Sequence, residues 1–117
     1  MTVWFNPDCS KCRGACDLLD ARGIEPSLVR YLDSTPGRAE LERVLRMLGT
    51  DDPRAIVRSG EPEYTELRLD QADRDELLEA MVAHPVLIER PIVIRGNRAV
   101  VARPPERLLE LIDDLPA

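Results

Sequence analysis

Short apolar runs stand near both ends of the chain, and between them apolar residues recur with the three-to-four-residue period of helices. Val3-Trp4-Phe5 reads as a buried strand, ended by the turn residues Asn6-Pro7-Asp8. From Ser10 to Arg22, the residues Cys12, Ala15, Cys16 and Leu19 fall along one side, which predicts a helix closed by Gly23. Ser27 to Leu32 predicts a second strand. Strand, helix and strand within about thirty residues make a βαβ unit, which implies parallel pairing.

Residues 33 to 88 read as helical. Thr35-Pro36 gives a cap followed by proline at the first helical position, Leu41, Val44, Leu45 and Leu48 form the apolar stripe, and Gly49 ends it. Asp52-Pro53 starts a short helix through Val57, and Glu63 to Leu69 carries a weaker helical pattern. Asp73 caps a segment with Leu77, Leu78, Met81 and Val82, which His84-Pro85 terminates. Farther on, Pro91-Ile92-Val93-Ile94 and Ala99-Val100-Val101 flank Arg95-Gly96-Asn97-Arg98, a hairpin signal. Pro104-Pro105 opens a closing helix with Leu108, Leu109, Ile112 and Leu115. The order is β-α-β, a helical insert, then β-β-α. That is an α/β chain with a mixed sheet and flanking helices, and without the insert it is the thioredoxin arrangement. A single thioredoxin-like domain over residues 1–117, with the insert at about 33–88, is the expectation.

Composition narrows the function. The chain of 117 residues carries a net charge of −6, which argues against nucleic acid or anionic membranes as partners. No apolar run is long enough to span a membrane, and the first residues lack the pattern of a signal peptide. Fifteen of the sixteen basic residues are arginine, a bias that by itself identifies no site. Cys9, Cys12 and Cys16 crowd into eight residues and are odd in number, which suits a redox-active cytoplasmic protein better than a disulfide-stapled secreted one.

Cys9 falls between a turn and a helix N-terminus, where free backbone N–H groups and the helix dipole favour an anion, so its thiol pKa is expected to fall. The same N–H groups can hold an oxyanion against the sulfur. Lys11 and Arg13 add positive charge in the first turn. Cys12 lies three residues on, within reach of a disulfide, and Cys16 a further turn along is expected to point into the core. Zinc would need a second pair of ligands; His84 is the only other candidate and stands far away in sequence, so no metal is expected.

The stretch Asn6-Pro7-Asp8-Cys9-Ser10-Lys11-Cys12-Arg13 resembles the active-site loop of the glutaredoxin-coupled arsenate reductases. The likeness continues through Arg22-Gly23-Ile24-Glu25-Pro26, Tyr31-Leu32 and Ala55-Ile56-Val57-Arg58. It recurs in the run from His84 to Val93 that contains Glu89-Arg90-Pro91-Ile92-Val93, and in Ala102-Arg103-Pro104. It therefore covers nearly the whole chain in order. It implies reduction of arsenate to arsenite, with Cys9 as nucleophile, Arg58, Arg90 and Arg103 as ligands of the oxyanion, and Pro91 as a cis-proline beside Cys9. The implied reductant is glutathione with glutaredoxin, or, given Cys12, a protein dithiol such as thioredoxin; no bound cofactor and a monomeric protein are further expectations.

Two positions depart from the family pattern. Phe5 stands where many members carry a histidine near the nucleophile, and Cys12 where serine is common. A second cysteine in the loop is found in the related Spx-type regulators, which bind RNA polymerase. A redox-sensing regulator of that kind and a general dithiol–disulfide oxidoreductase therefore remain alternatives, although neither has a use for three anion-binding arginines. With Cys12 present, an internal Cys9–Cys12 disulfide is a feasible step of the reductase reaction. A phosphatase-like arsenate reductase needs an arginine six positions after its nucleophile, whereas Cys9 leads to Ala15 and Cys12 to Leu18.

Overall fold

In the computed structural model, which describes residues 1–112, the chain divides into two compact units. The first combines Met1–Tyr31 with the chain from Arg90 onward, and the second is Leu32–Glu89.

The first unit is built on a four-stranded sheet of β1 (Thr2–Trp4), β2 (Ser27–Val29), β3 (Ile92–Arg95) and β4 (Arg98–Val101), in the order β2-β1-β3-β4. β1 pairs parallel with β2, as the βαβ pattern requires, with Val3 opposite Leu28. β3 runs antiparallel to both β1 and β4, with Val93 opposite Val3 and Val100. The β3–β4 turn has two residues, and Gly96 takes a φ of +61°, a left-handed conformation that glycine adopts without strain. Helix α1 (Ser10–Ala21) lays Ala15 and Leu19 onto Val3, Val93 and Val100, and Leu108, Leu111 and Ile112 complete that core. This is the thioredoxin-like α/β fold.

Three local readings are corrected. Cys16 is only half-buried, whereas Cys12 is fully enclosed. The closing segment, Pro105–Leu111, is a 3-10 helix, and Leu115 lies outside the described residues. β2 ends at Val29, so Arg30 to Leu32 lie beyond the strand.

The second unit holds α2 (Arg38–Leu48), α3 (Pro62–Glu66) and α4 (Arg74–Ala83), with 3-10 turns at Pro53–Ala55, Leu69–Gln71 and Pro85–Leu87. α4 begins in a capping box: the Asp73 carboxylate accepts from the Glu76 N–H at 2.9 Å, and Glu76 accepts from the Asp73 N–H at 3.1 Å. α2 starts after Gly37 rather than at Thr35-Pro36, with the ring of Pro36 buried ahead of the helix. α2 packs on α4, and Leu41, Val44 and Leu45 of the first and Leu77, Leu78 and Met81 of the second are all buried. Val57 bridges Ile88, and the Arg58 N–H donates to the Leu87 carbonyl at 2.7 Å.

Candidate active site

The loop that leads into α1 is ordered by Asn6. Its side-chain oxygen accepts from the Asp8 N–H at 3.0 Å, and its carbonyl accepts from the Cys9 N–H at 3.0 Å. Cys9 is then the N-cap of α1, with extended backbone, and its carbonyl takes the first helical hydrogen bond from the Arg13 N–H at 3.1 Å. Cys9 makes no side-chain capping hydrogen bond, and its sulfur stands at the helix start, on the side where the first-turn N–H groups emerge.

Burial alone would raise the Cys9 pKa. Hydrogen bonds from the Cys12 N–H, the Cys12 thiol, the Lys11 N–H and the Arg90 guanidinium outweigh it and bring the thiol down to about 7. What Lys11 supplies is its backbone N–H; the side chains of Lys11 and Arg13 stand exposed. Phe5, where a histidine is common in the arsenate reductases, packs against the core of the first unit. The low thiol pKa is reached without that histidine.

Arg103 approaches the same sulfur from the far end of the unit. Its Nη1 donates to Cys9 Sγ at 3.9 Å and to the Arg90 carbonyl at 3.1 Å. One guanidinium thus ties together the sulfur and the backbone of the second arginine. Both arginines directly precede a cis-proline, at Arg90–Pro91 and Arg103–Pro104. The first of these bonds was expected; the second has no signal in the sequence beyond the Pro104-Pro105 pair. The Ala102 N–H donates to the Pro91 carbonyl at 2.9 Å, which joins the two arginine-bearing segments.

Gly14 is a residue that sequence patterns did not single out. A Cβ there would lie 3.0 Å from Pro105 Cγ, so the bare helix surface is what admits the segment that carries Arg103. A glycine inside an otherwise regular helix was the available hint.

Cys12, on the first turn of α1, is fully buried, and its sulfur accepts from the Asn6 N–H at 3.4 Å. Burial, and to a smaller degree the neighbouring Cys9 sulfur, push its thiol up to about 12 although the Asn6 N–H acts the other way. Burial raises the Cys16 thiol as well.

Arg58 belongs to the second unit. Its Nε donates to Glu61 at 3.1 Å and its Nη1 to Glu89 at 2.8 Å, so two carboxylates hold it. Among the described residues there is no cluster of metal-ligating side chains, and no helix is long and apolar enough to cross a membrane.

A thioredoxin-like fold with a thiol of lowered pKa at the start of its first helix, and two arginines beside that sulfur, gathers cationic groups and an acidic cysteine at one point. Residues 4–111 match the sequence profile of the ArsC family. The chain is 41% identical over 112 residues to arsenate reductase of Haemophilus influenzae, covering 94% of this chain and 97% of that protein. It is 43% identical over 108 residues to arsenate reductase of Neisseria meningitidis serogroup B, covering 91% and 92%. Arsenate reductase from Vibrio cholerae superposes with a TM-score of 0.90 at 43% identity, over 96% of this chain and 98% of that one. The chain belongs to the ArsC family.

Proposed function

We propose that the protein reduces arsenate to arsenite through a thiol–arsenate adduct on Cys9. The observation that carries this reading is the convergence of Arg90 and Arg103 on a thiol that titrates at about 7. Arsenate is a multiply charged tetrahedral anion, and an anionic nucleophile meets it only where fixed cations offset the repulsion. Each charge-assisted hydrogen bond to such an oxygen contributes about 1.5–3 kcal/mol. Guanidinium groups supply them as rigid forks of donors. The α1 N–H groups add donors that need no reorganisation.

The Cys9 thiolate attacks arsenic, and an arsenic hydroxyl leaves as water after taking up a proton. A thiol then attacks the Cys9 sulfur, the electron pair of the sulfur–arsenic bond stays with arsenic, and arsenite departs. Arg58 is a third ligand of the oxyanion on the strength of the family likeness; to serve, it has to exchange Glu61 and Glu89 for substrate. The proposed reductants are glutathione with glutaredoxin, or a thioredoxin-like protein dithiol, acting on a cytoplasmic monomer with no bound cofactor.

Arsenite release from the purified protein tests this, with glutathione plus glutaredoxin in one arm and thioredoxin in the other. Release in either arm that is lost in Cys9→Ser is the expected result. No release in both arms at millimolar arsenate overturns it.

A further inference from the structure

Three cysteines share α1 and its cap, yet the structure treats them differently. Cys9 is reachable, Cys12 is sealed behind it, and Cys16 lies one turn beyond, half-buried. We propose that Cys12 is the resolving thiol: it attacks the Cys9 sulfur of the arsenic adduct, releases arsenite within the chain, and leaves a Cys9–Cys12 disulfide for a dithiol protein to reset. This rests on the arsenate reading above and names the class of reductant for it.

Position is the first argument. Cys9 is the N-cap of the helix and Cys12 its third residue, so the two side chains share the N-terminal turn, and each thiol shifts the titration of the other. Residues three apart at a helix start lie within reach of a disulfide. Cys12 also has its own donor, the Asn6 N–H at 3.4 Å, which stabilises the thiolate when it forms. Asn6 therefore serves both cysteines, ordering the loop for one and holding the sulfur of the other. No external thiol reaches a fully buried sulfur, so Cys12 reacts with its neighbour and with nothing else.

Timing is the second. While Cys9 is charged, its sulfur is one of the groups that keep Cys12 protonated. Once Cys9 carries arsenic that charge is gone, while the Asn6 N–H and Arg90 still favour the Cys12 thiolate. Cys12 thus becomes a better nucleophile once the adduct exists, with burial still the main influence that holds its proton.

The step balances. The sulfur–arsenic bond breaks with its electron pair on arsenic, which falls from As(V) to As(III). The two sulfurs lose one electron each and form the disulfide, and the Cys12 proton passes to an oxygen of the departing arsenite. Reduction of that disulfide takes two electrons from a thioredoxin-like dithiol by thiol–disulfide exchange.

The test is a single turnover without reductant. The protein is reduced, freed of small thiols and mixed with arsenate; arsenite is quantified, and the product is mapped by mass spectrometry after thiol capping. About one arsenite per chain is expected, with a new Cys9–Cys12 disulfide. Cys12→Ser is expected to lose the release by roughly tenfold or more, with added glutathione restoring part of it, whereas Cys16→Ser keeps it. Mapping of the unmodified protein stands whether or not the Cys12 variant folds. If the protein turns over with glutathione and glutaredoxin yet releases no arsenite alone, the resolving role of Cys12 is wrong and the arsenate reading survives. A disulfide mapped to Cys16 overturns it equally, and silence under every reductant takes both readings down.

Discussion

The Cys9 thiol reaches about 7 against the pull of its own burial, because its stabilising donors are distributed over backbone and side chain. Iodoacetamide labelling followed by mass spectrometry is expected to show Cys9 half-reactive near pH 7, with Cys12 and Cys16 silent until well above about pH 8. The same lowered pKa stabilises the folded protein above the ordinary thiol range, and that gain disappears as pH falls through 7. Arg90→Ala removes one of the hydrogen bonds to the thiolate, so its labelling midpoint rises. Arg103→Lys keeps a cation near the sulfur but loses the bridging fork; KM for arsenate is expected to rise about tenfold with a smaller change in kcat, read from initial rates. The acidity of Cys9 was legible from its place at a helix start. Its partners were not: charge was expected from Lys11 and Arg13, adjacent in sequence, whereas it comes from Arg90 and Arg103, which the fold delivers. Local spacing cannot show a contact made across 94 positions; the family likeness could name the arginines, and only coordinates show what they touch.

At the scale of elements, the strands and α1 followed from pattern because burial on one face enforces their periods. Errors gathered at boundaries, where competing signals are short. Thr35-Pro36 has the composition of a helix start, but the ring of Pro36 is buried and the helix begins after Gly37 instead. Cys16 keeps helical register with Cys12, yet the buried stripe of α1 runs through Cys12, Ala15 and Leu19 and passes it by. Gly14 shows the reverse case, a position whose importance is a missing atom. Gly14→Ala has to push Pro105 back by a few tenths of an ångström, and Arg103 lies two residues before it. The expected outcome is a KM for arsenate raised several-fold while the circular dichroism spectrum is kept. Asp73→Ala serves as the contrast: loss of the capping box costs about 1 kcal/mol of stability in a urea titration. Cys9 in that variant keeps its labelling midpoint near 7.

For the whole molecule, the unit that holds Cys9, Arg90 and Arg103 is made from two separated stretches of chain, with all of Leu32–Glu89 between them in sequence. A net charge of −6 gives no long-range attraction for an anion, so capture depends on the arginines at the sulfur and is expected to change little with ionic strength. Arsenate KM measured from 20 to 200 mM salt checks this, and a change beyond about threefold would count against it. The register Val3–Val93 has a history as well as a geometry. During synthesis Cys9 leaves the ribosome long before Arg90 and Arg103, and β1 waits for a partner that has not been made. Through that interval the thiol has its helix N–H groups and no guanidinium, so a half-finished chain carries a somewhat less acidic cysteine. Pulsed alkylation of stalled nascent chains should find Cys9 somewhat slower in those that stop before Arg90 than in those from which Arg103 and the segment after it have emerged. The order of synthesis thus makes the guanidinium contribution the last to arrive at the sulfur.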